Sequence, residues 1–378
     1  MGYGNLIHGD AEISTHKAIG PETIDRALIG CTRSVCPHTR TVTFSRLPSN
    51  GLKSPALNPT NKESVIYRLH PELEKGRLIF QIGTAKPELA VQAAKLVAGD
   101  VAGIDVNSGC PKPFSTSGGM GAALLKDPDR LCAILEALVK EVGLPFGIGI
   151  SVKIRILDSQ DKTVSLVRRL CQTGIHGLTV HCRTTPMRPR ERAIREQLKA
   201  IVRTCHEAGV SCLMNGDVEN RDQAIQLMQE FGADGAMIAT AAEKNPSVFR
   251  AKEDGGMVSW RIVAREYMEE AMKVDNRWGN TKFLLSQLIP GKEDKFINVA
   301  QCKSHEQMVQ ALDCTELLDL ARDLDVRLEI NRPELSRVVK RAAAREEKAI
   351  NPQANATSEE SADVIGDMIA NASVAITA

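Results

Sequence analysis

The 378-residue chain lacks several features that would narrow its class at once. It has ten cysteines, at positions 31, 36, 110, 132, 171, 182, 205, 212, 302 and 314, yet none forms a C-x-x-C pair. In a chain of this length that pattern argues against a disulfide framework and for reducing surroundings. Cys31, Cys36 and His38 lie close together, but no second ligand pair accompanies them, so no metal site is expected. No apolar run approaches the roughly 20 residues of a membrane span. The first residues, MGYGNLIHGD, have neither a signal-peptide core nor Arg-rich transit character. Net charge is only +1, so any nucleic-acid binding must come from local patches. No G-x-G-x-x-G follows an apolar run, which disfavours a dinucleotide-binding fold.

What the chain does have is rhythm. Thr41–Phe44 and Ser64–Tyr67 read as short β segments of a small hairpin, with Pro48–Asn61 a surface loop between them. From Arg77 onward, apolar runs predict strands at Leu78–Ile82, Ile104–Val106, Ile148–Ile154, Leu178–His181, Ser211–Met214 and Gly235–Ile238. Helical patterns follow each in turn: Pro87–Ala98, Pro128–Val142, Thr163–Thr173, Arg192–Ala208, Arg221–Phe231, and one starting at Ala241. Such alternation means a parallel sheet covered by helices, and the size favours a TIM-type (β/α)8 barrel over an open doubly wound sheet. After Trp260 only helical patterns remain, at Arg261–Val274, Thr281–Leu288, Glu306–Leu324 and Pro333–Lys348. The Ser-, Ala- and Asn-rich segment from Asn351 to Ala378 is expected to be a mobile tail.

In a barrel, chemistry gathers at the C-terminal ends of the strands. Those ends carry Gln81; Asn107 and Cys110; Lys153 and Arg155; His181 and Arg183; Asn215, Gly216 and Asp217; and Ala239 and Thr240. Taken singly, each has an ordinary explanation: a surface lysine, a hydrogen-bonded histidine, an Asn-Gly-Asp turn. Their recurrence at successive strand ends favours a common site. Cys110 alone would be equally well read as a small buried hydrophobe. Its loop, stiffened by Pro111 and Pro113 and followed by Gly118-Gly119-Met120-Gly121, gives it another prospect. An ordinary thiol has a pKa of about 8.5 and is mostly protonated near neutrality, so it can donate a proton as well as attack.

The stretch NSGCPKPFSTSGGMGAALL, from Asn107 to Leu125, resembles the active-site loop of the tRNA-dihydrouridine synthases, and most of all the eukaryotic branch that reduces uridine 20 of the D-loop. The resemblance runs from about Gly20 to Phe249 and more weakly through the helices beyond. It implies FMN as the bound cofactor, NADPH or NADH as hydride donor, tRNA as partner, and Cys110 as the proton donor to uracil. It implies that Gln81, Lys153, His181, Asn215, Gly216, Asp217, Ala239 and Thr240 hold FMN. An amide at Gln81 can both donate to and accept from the polar edge of a flavin, and a cation at Lys153 would stabilise its reduced form. The last two strand-end loops would present backbone N–H groups to the phosphate. The family commonly has Arg where this chain has Thr240, whose hydroxyl would offer a single hydrogen bond in its place.

Substrate would meet Asn107, Arg155, Arg183, Arg188 and Arg190, the last two within a stretch that also holds Arg192 and Arg195. A solvated charged loop would look the same. The expected division is an atypical N-terminus over 1–19, an FMN-binding barrel over 20–255, a helical tRNA-binding domain over 256–350, and the tail over 351–378. Arg337, Arg341, Arg345 and Lys348 would share one basic helix face. The related enzymes begin with a strand ending in an Ala-Pro-Met-type motif. Nothing like it precedes Gly20-Pro21-Glu22, so the first barrel strand is expected to be missing and the second reduced to a remnant near His16–Ile19. The setting is expected to be cytoplasmic, with a nuclear or mitochondrial pool left open, no membrane, and no obligate protein partner. Two other readings compete: an FMN barrel oxidoreductase of a small pyrimidine or enone, and a tRNA-binding protein that has lost catalysis.

Overall fold

The computed structural model describes residues 41–42, 67–68 and 76–328. Several expectations lie outside the described residues: the missing first strand and the remnant near His16–Ile19, the Cys31, Cys36 and His38 group, the Pro333–Lys348 helix with its basic face, and the tail. The described residues up to Leu324 belong to one compact unit, and Asp325 opens a second. No described helix is long and apolar enough to cross a membrane.

β1 (Thr41–Val42) and β2 (Tyr67–Arg68) pair antiparallel, as the expected hairpin requires. The main sheet consists of β3 (Ile79–Ile82), β4 (Gly103–Ser108), β5 (Gly149–Arg155), β6 (Gly177–His181), β7 (Ser211–Asn215) and β8 (Gly235–Met237). All its pairings are parallel and its strands neighbour one another in sequence order. Crossovers that never reverse direction put their helices on a single face. This is the winding of a (β/α)8-type barrel wall and not of a doubly wound sheet.

The register shows why. In-register rows on one face read Ile82, Val106, Val152, Leu178 and Cys212, then Ile154, Val180, Met214 and Ala236. From Val106 onward every one of these is 0% exposed. Side chains alternate along a strand, so the intervening residues face the other way. Those rows read Gln81, Asp105 and Ser151, then Asn107, Lys153 and Thr179, then Arg155, His181 and Asn215. One face is therefore a dry apolar seam for the helices, and the other grows polar toward the strand ends.

The helices start where local chemistry dictates. Pro87, Pro113 and Pro128 occupy first-turn positions of α1 (Pro87–Val97), α2 (Pro113–Thr116) and α3 (Pro128–Leu138), where a missing N–H does no harm. Asp127 caps α3, Ser159 caps α4 (Gln160–Cys171) and Asn220 caps α6 (Arg221–Phe231), each accepting a backbone N–H of the first turn. The helix expected over Arg192–Ala208 is shorter: α5 spans Leu198–Glu207. The Arg195 side chain is drawn instead to the carbonyls of Gly216, at 2.8 Å, and Asp217, at 3.1 Å, which holds this approach out of helical form.

After α7 (Thr240–Lys244) the helical region comprises α8 (Trp260–Lys273), α9 (Trp278–Leu288), α10 (Asp294–Gln301), α11 (His305–Ala311) and α12 (Leu318–Arg327). α8 buries Val263, Ala264, Tyr267, Met268, Ala271 and Met272, a helical stripe. The single helix expected over Glu306–Leu324 is two, α11 and α12. Between them Asp313 takes a φ of 60°, a left-handed conformation that no helix interior tolerates. α10 has no counterpart among the expected helices; its eight residues bury only Val299 and so give a weak sequence signal.

Leu178 sits at the middle of the buried rows on β6. Leu178→Ala should lower unfolding stability by about 2–5 kcal/mol. In urea titration the midpoint should fall with the slope unchanged; an unshifted midpoint would mean that this face is not packed as described.

Candidate active site

The chain leaves β4 by a turn that Asn107 makes. Its Oδ1 accepts the backbone N–H of Gly109 at 3.1 Å and of Cys110 at 3.0 Å. Local bonding of this kind competes with continued strand and bends the chain away from the sheet. Past α2 the chain returns, and the N–H of Ala122 bonds the Cys110 carbonyl at 2.9 Å. Gly121 makes that return possible. Its φ is 62°, and a Cβ there would lie 2.6 Å from the Cys110 carbonyl oxygen and against Ser115 Oγ. Both backbone groups of Cys110 are thus engaged, which fixes a half-buried thiol at the strand-end mouth.

Arg155 fastens this loop to the next. Its Nε donates to the Gly109 carbonyl at 2.7 Å and its Nη1 to the Thr184 carbonyl at 2.9 Å. Burial, together with the nearby Arg183, lowers its pKa below the ordinary guanidinium value. It stays charged, as arginine does in proteins.

On the same face Gln81, Asp105, Asn107 and Ser151 are joined. Asn107 Nδ2 donates to Gln81 Oε1 at 3.0 Å, Gln81 Nε2 to Asp105 Oδ2 at 2.7 Å, and Ser151 Oγ to Asp105 Oδ1 at 2.8 Å. Asp105 is 6% exposed. Burial raises its pKa, and the hydrogen bonds from Gln81 and Ser151 and the Lys153 charge oppose the rise. Sequence reasoning passes over Asp105 as part of an apolar run. The available signal is its place two residues before Asn107, on the same side of the strand.

A second cluster occupies the ends of β6 and β7. The Arg183 guanidinium is buried, and each of its three nitrogens is engaged. It donates to the Glu191 carbonyl at 2.7 Å, the Pro189 carbonyl at 3.0 Å and His181 Nε2 at 3.2 Å, and it pairs with Asp217. Asp217 also accepts the Ala193 N–H at 2.7 Å. Partial burial opposes ionisation of Asp217, but the bonds from Arg183 and the Ala193 amide hold its carboxyl below the ordinary range. Gly216 has a φ of 123°, which L side chains rarely adopt, and a Cβ there would sit 3.1 Å from that of Ala193, closer than an ordinary contact. Asn215 spends its amide on the Met237 carbonyl at 2.9 Å, tying β7 to β8.

The expected residues thus fall into two groups joined by Arg155. Gln81, Asn107, Cys110 and Lys153 form one; His181, Arg183, Asn215, Gly216 and Asp217 form the other. Ala239 and Thr240 lie where α7 follows β8, with the Thr240 side chain exposed. Arg188 and Arg190 are exposed on the rim that Arg183 holds, as is Arg192. Arg183 faces inward. Among the described residues no cluster of three or more His, Cys, Asp or Glu has the makings of a metal site.

His181 follows from these contacts. Arginine only donates, so the Nε2 that meets Arg183 must accept, and the ring proton sits on Nδ1. Burial first, then the charges of Lys153, Arg155 and Arg183, press the His181 pKa down to about 3. Nitrogen-15 spectra of the imidazole should show the Nδ1–H tautomer, uncharged from pH 8 down to pH 5. A titration midpoint near that of free histidine would contradict this geometry.

Comparison with known proteins agrees with the architecture. The family model described as dihydrouridine synthase (Dus) matches residues 54–312. A tRNA-dihydrouridine(20) synthase (NAD(P)+) of Schizosaccharomyces pombe is 47% identical over 299 residues, which cover 78% of this chain and 59% of the relative. The protein of the same name from Saccharomyces cerevisiae is 45% identical over 295 residues, covering 76% of this chain and 74% of the relative. A tRNA-dihydrouridine(20a/20b) synthase (NAD(P)+) of S. cerevisiae is 30% identical over 189 residues, covering 50% of this chain and 51% of that one. The chain spans about three-fifths of the S. pombe relative's length. A family match over more than half of the chain, with the loop that carries Cys110 inside it, leaves one conclusion: the chain belongs to the dihydrouridine synthase family.

Proposed function

We propose that this chain reduces a uridine of the tRNA D-loop to 5,6-dihydrouridine, using FMN and NADPH, in the cytoplasm. The observation that carries the reading is Cys110, held by both backbone groups at the mouth of a polar strand-end face that Gln81, Lys153, Arg155 and His181 share.

The donor set suits FMN. Gln81 offers an amide, Lys153 a cation, and His181 a neutral ring with its proton on Nδ1. Gly216 and Asp217 would turn the backbone N–H groups of the β7 loop toward its phosphate. Arg195 Nε is buried with no partner among the described residues, a further donor beside that loop. When bound, reduced FMN would supply the hydride for C6 of uracil, and NADPH would replace it.

The residues of the chain do the rest. Asn107 would hold the uracil edge, and the Cys110 thiol would give its proton to C5. The target base must leave its stack to reach them. The rim from Thr184 to Ala193 presents Arg188, Arg190 and Arg192 to tRNA phosphates. The helices after residue 256 would add to this surface. On α8 several cations already face carboxylates: Arg261 bridges Glu293, Arg265 bridges Glu269 and Glu316, and Lys273 bridges Glu269 and Glu270. That weighting favours the rim.

Cys110→Ala should keep flavin binding and slow dihydrouridine formation by about 10² to 10⁴. Mass spectrometry of digested tRNA reads this directly; turnover near that of the parent would refute the role. Removing the charges of Arg188, Arg190 and Arg192 should weaken tRNA binding and reduce the log–log salt slope by roughly one for each phosphate no longer neutralised. Flavin reduction by NADPH should not change. An unaltered slope would mean that the rim is only solvated.

A further inference from the structure

We infer that Asp105 sets the orientation of the Gln81 and Asn107 amides and thereby positions the Cys110 loop; its consequence for activity rests on the function proposed above. An amide side chain can turn end for end with little change of shape, so its partners decide which end faces where. Here both ends of a chain of bonds are fixed. At one end the N–H groups of Gly109 and Cys110 can only donate, so Asn107 must offer Oδ1 to them. That leaves Nδ2 to meet Gln81, which must answer with Oε1. Gln81 Nε2 is then turned toward the sheet, where Asp105 Oδ2 receives it at 2.7 Å. At the other end Ser151 Oγ donates to Asp105 Oδ1 at 2.8 Å.

Every bond in the series therefore runs in one direction, from donors on the loop and on β5 to a buried acceptor on β4. Reversing either amide would set donor against donor or acceptor against acceptor. Gln81 is exposed on β3, where water competes for its groups; Asp105 is the buried anchor that prevents it from turning. Lys153, which neighbours Asn107 in the β4–β5 register, supplies the positive charge that favours the carboxylate. Asp105 is thus a positioning residue, acting on the loop through Gln81 and Asn107.

The substitutions separate orientation from charge. In Asp105→Asn the side-chain oxygen can still accept from Gln81 while its amide donates to Ser151 Oγ, so the direction of the series survives. Asp105→Leu has similar bulk and no acceptor. Gln81→Ala breaks the series at an exposed position where folding is not at risk. In the full chain, amide hydrogen exchange at Gly109 and Cys110 should quicken by roughly 5- to 30-fold in Asp105→Leu and Gln81→Ala, the effect of losing one or two network bonds. It should stay near the parent rate in Asp105→Asn. Dihydrouridine formation should fall with the first two and hold in the third, with thermal melting confirming that each variant is folded. Unchanged exchange in Gln81→Ala overturns the inference, and so does an Asp105→Asn chain that behaves like Asp105→Leu. If exchange responds as expected while the parent chain forms no dihydrouridine, the positioning role stands and the proposed function is what fails.

Discussion

A parallel sheet wound in one direction has two unlike faces, and everything else in this protein depends on that. Crossovers that keep one sense place their helices against one side only. The side they cover must be apolar without interruption, and Val106, Val152, Leu178 and Cys212 meet that demand in register. Because side chains alternate, the opposite side is released from it. Polar residues can stand there at every second position, and toward the ends of β3 to β7 they do. The same alternation that closes the core opens the site.

A polar face alone would leave its loops loose. Here buried and half-buried cations hold them by their carbonyls. Arg155 joins the Cys110 loop to the loop after β6, Arg183 gathers that loop around Asp217, and Arg195 takes the two carbonyls at the end of β7. A guanidinium suits this work because its donors point in fixed directions and its charge persists when partly buried. The consequence for chemistry is a neutral His181 amid three cations. Its ring offers a hydrogen bond without adding to the positive charge that already favours an anionic ligand.

Much of this is legible in the sequence. The apolar runs mark every strand of the main sheet to within a residue or two, since a strand buried on its helix side must read as apolar. Proline and capping residues mark half of the labelled helix starts. The loop from Asn107 to Leu125 points to the site through its thiol, prolines and glycines. What stays hidden depends on partners far away in sequence. Asp105 looks like an interruption of an apolar strand until Gln81 and Ser151 are seen beside it. Arg183 reads as one of several rim arginines, yet it is buried, because Asp217 lies 34 residues further on. Arg192–Gln197 has a helical composition and is not helical, because Arg195 is engaged elsewhere. Local propensity governs such stretches only when no tertiary bond competes.

The central claim is that the strand-end face holds a flavin whose reducing equivalents pass to a tRNA uridine under the Cys110 thiol. One anaerobic cuvette tests it most directly. Purified chain loaded with FMN is bleached with a stoichiometric amount of NADPH, and unmodified tRNA is then added while the flavin absorbance is followed. The account predicts that the oxidised spectrum returns as dihydrouridine accumulates in equal amount, and that tRNA already carrying dihydrouridine leaves the flavin reduced. A chain that takes up no flavin would contradict the account. So would one whose reduced flavin is indifferent to tRNA.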